Sequence, residues 1–126
     1  KAELIDSGKV KYIFRDFPLD QYAMAGTLIA NCVADDKYFD VINVLLKTQK
    51  KWMQNGYQGL LSIAKNFGLS ISEVELCLSN EKLIKLIESN MNIATNNFGI
   101  TGTPSVFVNG KKITSLDYQE MLAEIK

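Results

Sequence analysis

The sequence contains no histidine in its 126 residues. That absence excludes Ser-His and Cys-His nucleophilic catalysis and removes a main ligand type of zinc sites. Cysteine is scarce. Cys32 and Cys77 lie 45 positions apart, which is neither a Cys-x-x-Cys pair nor a local metal-ligand spacing. Proline occurs twice, at Pro18 and Pro104, each beside a candidate strand. No apolar run approaches the roughly 20 residues that a membrane-crossing helix needs. An excess of charge is lacking too. Fourteen basic residues balance fourteen acidic ones, so the general argument for nucleic acid or an anionic membrane as partner falls away.

What is present is ordinary for a folded domain: 47% apolar and 22% charged residues, in a length that suits about one core. Val10, Tyr12 and Phe14 alternate on one face, with Ile13 and Phe17 between and beyond them. The run Lys9–Phe17 therefore reads as a strand with an apolar centre buried on both faces, opened by Gly8 and stopped by Pro18. From Asp20 the period changes to that of a helix. Tyr22, Ala25, Leu28, Ile29 and Cys32 share a face behind an Asp20 N-cap. Phe39, Ile42, Leu45, Leu46, Gln49 and Met53 mark a second helix ending at Gly56. Leu60, Leu61, Ala64 and Phe67 mark a third, ended by Gly68. Ser72 and Glu75 fit a capping box for a short helix with Val74 and Cys77. Leu83, Ile84, Ile87, Met91, Ala94 and Phe98 form the stripe of a long fifth helix that stops at Gly99. Asn109-Gly110 then predicts a tight hairpin between Ser105–Val108 and Lys111–Thr114. A last amphipathic helix carries Tyr118, Met121, Leu122 and Ile125, capped by Ser115 or Asp117.

Several residues carry a plain structural reading. Lys47, Lys50 and Lys51 form a solvated helix face. Trp52 and Met53 at a helix end read as core, with a small apolar surface patch as the alternative, and Tyr12, Phe14 and Phe17 are strand packing without the basic surface a stacking platform needs. Asp35, Asp36 and Asp40 lack a calcium-loop pattern, and N-capping of the next helix accounts for at least one of them.

The segment Gly99-Ile100-Thr101-Gly102-Thr103-Pro104-Ser105-Val106-Phe107-Val108-Asn109-Gly110 is the most informative. Pro104 has no amide for a sheet ladder, so it belongs at a strand's first residue or in a special turn. A plain turn before a hairpin satisfies this, and so does a cis X-Pro loop. Gly102-Thr103-Pro104 with its following hairpin resembles the cis-proline loop of the thioredoxin superfamily in its DsbA-like branch. Arg15-Asp16-Phe17-Pro18-Leu19 resembles that branch's strand exit into a helical insertion. Ala30-Asn31-Cys32, Lys37-Tyr38-Phe39-Asp40, Leu45-Leu46-Lys47-Thr48-Gln49 and Leu76-Cys77-Leu78 resemble segments of the insertion, in order.

The resemblance implies an α/β thioredoxin-like fold, residues 1–126 forming one truncated domain. Residues 19–99 are then the helical insertion with the following long helix, and 9–17 and 100–126 are thioredoxin-core elements. It also implies a thiol:disulfide oxidoreductase acting on protein cysteines. In that family a Cys-x-x-Cys pair sits at a helix N-terminus, where free amides and the helix dipole favour the thiolate. Thr103 and Pro104 would hold the client chain. Here residues 1–7 read like the end of that helix, so the redox pair is expected upstream of Lys1, and this chain alone is expected to be inactive and to be a fragment. The strand that precedes the motif would lie in the sheet's centre, so its absence leaves exposed edges and a tendency to self-associate.

A structural disulfide between Cys32 and Cys77 is implied in the same way, and with it a periplasmic or other extracytoplasmic bacterial location. Two free buried thiols are the alternative. The implied partners are cysteine-containing clients and a membrane redox partner. No cofactor is implied. A non-catalytic thioredoxin-like module that binds peptides or partners is the competing function. A glutathione-using enzyme on the same fold is disfavoured by the oxidising compartment.

Overall fold

A computed structural model describes residues 4–114 and 117–125. The chain divides into two units, Lys1–Glu88 and Ser89–Lys126, with the boundary inside one long helix.

The first unit is helical. α1 (Gln21–Ala30) is capped by Asp20, whose carboxylate accepts from the Ala23 amide at 2.8 Å. Its C-terminal half, Gly26 to Ala30, is wholly buried. A 3-10 turn at Asp35–Lys37 leads into α2 (Tyr38–Lys47), and α3 (Gln49–Asn55) follows at once. The expected single helix from Phe39 to Met53 is thus broken at Thr48. The reason lies in two carbonyls. The Thr48 hydroxyl donates to the Val44 carbonyl at 2.6 Å, and the Trp52 indole N–H donates to the Leu45 carbonyl at 2.7 Å. The Val44 carbonyl also keeps the Thr48 amide at 3.0 Å, whereas the Leu45 carbonyl has the indole in place of a helical amide. Trp52 is buried by this break, whereas Met53 is turned outward.

α4 (Tyr57–Asn66) ends in a Schellman motif. The Leu69 amide donates to the Ala64 carbonyl and the Gly68 amide to the Lys65 carbonyl, both at 3.0 Å, with Gly68 at φ +87°. Gly59 in α4 lies against α3 so closely that an added Cβ would stand 2.6 Å from the Trp52 carbonyl oxygen. α5 (Ile71–Leu78) is capped by Ser70 in a box with Glu73, two residues before the Ser72 and Glu75 box read from the sequence. Packing selects this register. A Ser70 cap puts Leu69 and Val74 at the two positions that staple a helix start, and both join the core. A Ser72 cap would put Ile71 and Leu76 there, and these are 65% and 72% exposed. The core joins Ile29, Ala30, Val41, Ile42, Leu45, Trp52, Leu60, Ala64 and Val74.

The expected strand over Lys9–Phe17 does not form. A strand exists through its ladder, and no described backbone group pairs with residues 11–19. Nor is its centre buried on both faces: Tyr12 and Ile13 are 56% and 59% exposed. Phe14 instead turns onto α2, its ring 6.2 Å from Tyr38 and 6.1 Å from Phe39. The described part of the expected N-terminal helix end, Leu4 to Ser7, is a turn, and Lys1–Glu3 lie outside the described residues.

α6 (Glu81–Phe98) starts at Asn80, whose side-chain oxygen accepts from the Leu83 amide at 3.2 Å. In the second unit it is followed by a short antiparallel hairpin, β1 (Phe107–Val108) and β2 (Lys111–Lys112). The strands are two residues each, shorter than the expected runs, although the Ile113 amide still reaches the Val106 carbonyl at 3.0 Å. Asn109 and Gly110 both have positive φ, 50° and 83°, as a type I′ turn requires. α7 (Tyr118–Ile125) is capped by Asp117, which accepts from the Gln119 and Glu120 amides. Ser115, the other candidate cap, lies outside the described residues.

Candidate functional site

Gly99, at φ +62°, ends α6, and the Ile100 amide folds back to the Ala94 carbonyl at 3.2 Å. The chain then turns through Gly102, whose carbonyl accepts from the Ser105 hydroxyl at 2.7 Å. The Thr103–Pro104 peptide bond between them is cis. Both residues are exposed. Among the described residues, neither the Thr103 amide nor the Pro104 carbonyl has a backbone partner. Beyond the loop, Phe107 stands edge-on to Phe98, with ring centres 5.9 Å apart. The loop therefore presents unpaired main-chain groups beside an apolar pair, which is what an extended polypeptide needs in order to add itself to a strand.

In the first unit, Cys32 and Cys77 form a disulfide with Sγ–Sγ 2.08 Å and Cα–Cα 6.2 Å. Cys32 lies just past the end of α1, not on its stripe, and its amide donates to the Ile29 carbonyl. Cys77 is buried on α5. No free thiol remains in the chain. The bond ties the end of α1 to α5.

A second feature was not read from the sequence. Phe14, Asp16, Ala30, Asn31, Val33, Asp35, Tyr38 and Phe39 line an open cleft of about 340 Å³. The Tyr38 hydroxyl donates to Asp16 Oδ1 at 2.7 Å. Burial first, then that hydrogen bond and the charge of Asp16, push the Tyr38 phenol well above its usual range. The sequence signal was the pairing of Asp35 and Asp36 with Tyr38-Phe39. Helix capping was the expected use of one of these carboxylates, but Lys37 occupies the N-cap of α2 and no side chain caps it. Among the described residues no group of three or more His, Cys, Asp or Glu is arranged to hold a metal ion, and no helix is long and apolar enough to cross a membrane.

A mostly helical block, a two-stranded hairpin and a turn through Thr103-Pro104 define a thioredoxin-like fold with a helical insert. The chain belongs to the thioredoxin family, whose profile, described as Thioredoxin, matches residues 1–126. A protein of Rickettsia bellii provisionally named a protein-disulfide oxidoreductase is 31% identical over 128 residues, 99% of this chain and 49% of that protein. Its counterpart in Rickettsia conorii is 34% identical over 113 residues, 87% of this chain and 41% of its own length. The chain thus spans about half or less of the length of these relatives. A crystal structure of a protein-disulfide isomerase from Novosphingobium aromaticivorans shares the fold, with a TM-score of 0.73 at 23% identity, covering 98% of this chain and 79% of that one.

Proposed function

We propose that residues 1–126 are the client-holding and helical part of a DsbA-like thiol:disulfide oxidoreductase acting on protein cysteines. The observation that carries the proposal is the match of nearly the whole chain to relatives provisionally named protein-disulfide oxidoreductases. The bond between both cysteines of the chain supports a redox pair outside these residues, expected upstream of Lys1. In disulfide exchange a thiolate of that pair attacks a client disulfide and forms a mixed disulfide. Thr103 and Pro104 hold the client's extended chain beside it. Residues 9–17 and 100–126 supply the thioredoxin-core elements, and residues 19–99 the insertion.

The Cys32–Cys77 bond supports a periplasmic or other extracytoplasmic bacterial location, because disulfides persist in oxidising compartments. A membrane redox partner would then regenerate the enzyme. The expected result for residues 1–126 alone is no reduction of insulin; robust turnover by this chain would defeat the reading. A second reading follows from the lack of Cys-x-x-Cys in the sequence: a thioredoxin-like module that binds peptides and exchanges no disulfides. Intact mass of the natural protein, with thiol labelling before and after reduction, separates the two. Two reactive cysteines beyond Cys32 and Cys77 mean the oxidoreductase, and none means the binding module.

A further inference from the structure

The cleft around Tyr38 has an unusual combination of walls. Phe14 and Phe39 each meet the Tyr38 ring edge-on, with centres 6.2 and 5.2 Å away, and Tyr12 adds its ring 6.3 Å from Phe39. Two carboxylates, Asp16 and Asp35, share the cleft with these rings. Neither carboxylate pairs with a described lysine or arginine. Arg15 and Lys37, the basic residues nearest in sequence, are exposed and likewise make no described ion pair, so the cleft is not filled from within. Tyr38 stays neutral while it donates to Asp16. Tyr38 therefore brings no counter-charge to Asp16 or Asp35.

Chemistry narrows the occupant. An anion is repelled, and a wholly apolar group would strip water from the carboxylates without compensation. A bare divalent ion is disfavoured because the cleft has two carboxylates only, and among the described residues no group of three or more His, Cys, Asp or Glu could hold a metal ion. An organic cation satisfies both kinds of wall: its charge faces the carboxylates and its flat or methylene surface lies against the aromatic side chains. The volume of about 340 Å³ is near the lower limit of ligand pockets, roughly 300–1,000 Å³, and suits the end of one side chain.

We infer that the cleft of Phe14, Asp16, Asp35, Tyr38 and Phe39 is a subsite for the charged end of an arginine or lysine side chain on an extended polypeptide. That the cation is borne by a polypeptide rests on the proposed function, in which protein chains are the clients; cation recognition by the cleft does not. The test is titration of the full chain, followed by NMR, with an acetylated and amidated Gly-Gly-Arg-Gly-Gly peptide. Its twin carries neutral citrulline in place of arginine, and guanidinium chloride supplies the bare cation. The arginine peptide should give saturable shifts at the rings of Phe14, Tyr38 and Phe39. The citrulline twin should bind at least about fivefold more weakly, the scale of a partly exposed cation–π contact with an ion pair. Asp35→Asn and Phe39→Leu, both at exposed positions, should each weaken the arginine peptide by about two- to fivefold. Asp16→Asn keeps an acceptor for Tyr38 and should do the same.

Equal binding of the twin peptides, or shifts centred elsewhere, overturns the cation site. Equal affinity for guanidinium ion at low millimolar concentration overturns the polypeptide occupant. An active insulin assay on residues 1–126 would sink the redox reading and leave these titrations unaffected, so the two failures are told apart.

Discussion

Tyr38 shows how much one side chain can join. Its ring packs against Phe14 and Phe39, and its hydroxyl fastens residue 16 to α2. Its phenol is raised by burial and by Asp16. The folded state therefore holds the proton more tightly than the unfolded state does. The stability from this group is fully present below the ordinary phenol pKa near 10 and is lost as pH rises above it. Urea unfolding of the wild type should thus lose stability above about pH 10 more steeply than Tyr38→Phe. Identical slopes for the two proteins would show that Tyr38 ionises as freely folded as unfolded. Period and propensity can place a tyrosine on a helix. They carry no signal for a hydrogen bond across 22 positions.

At the scale of elements, helix ends were the most legible. Asp20, Gly68, Gly99, Asn109 and Gly110 each act through local backbone chemistry, and each sits where its residue type predicts. One cap had two equally good local solutions, and packing chose between them. Ser70 and Ser72 both precede a Glu by three positions, and only core contacts separate them. Ser70→Ala should therefore cost about 1 kcal/mol, while Ser72→Ala changes stability by less than about 0.5 kcal/mol, as read by urea midpoints. Equal losses would mean that the cap is shared. The disulfide acts on the same elements from the unfolded side. Closing a loop of 45 positions limits the denatured chain by up to ~4 kcal/mol in the chain-entropy model. Cys32→Ser with Cys77→Ser should lower the urea midpoint accordingly while leaving helical circular dichroism at low urea intact. Loss of that helical signal in buffer would show that α1 and α5 depend on the bond to fold.

For the whole molecule, the segment from Lys11 to Leu19 matters most. Its main chain is unpaired among the described residues, and Ile13 is turned to solvent. Unpaired main chain beside an exposed apolar side chain can pair with a second copy as a sheet edge does, so residues 1–126 should associate with concentration in sedimentation velocity. Ile13→Lys should reduce that association with a change in stability within about 0.5 kcal/mol. A monomer at all concentrations, before and after the substitution, would contradict it. The sequence by itself determined the helical periods, the helix stops and the Asn109-Gly110 hairpin, because each depends on residues within a few positions of one another, and the family resemblance, because its short segments keep their order along the chain. Only the tertiary structure decided the break at Thr48, the Ser70 cap, the cleft around Tyr38 and the fate of residues 9–17. Each of these depends on a distant partner: an indole for a carbonyl, a core for a cap, a carboxylate for a phenol. A strand depends on such a partner most of all, since half of its hydrogen bonding belongs to another segment.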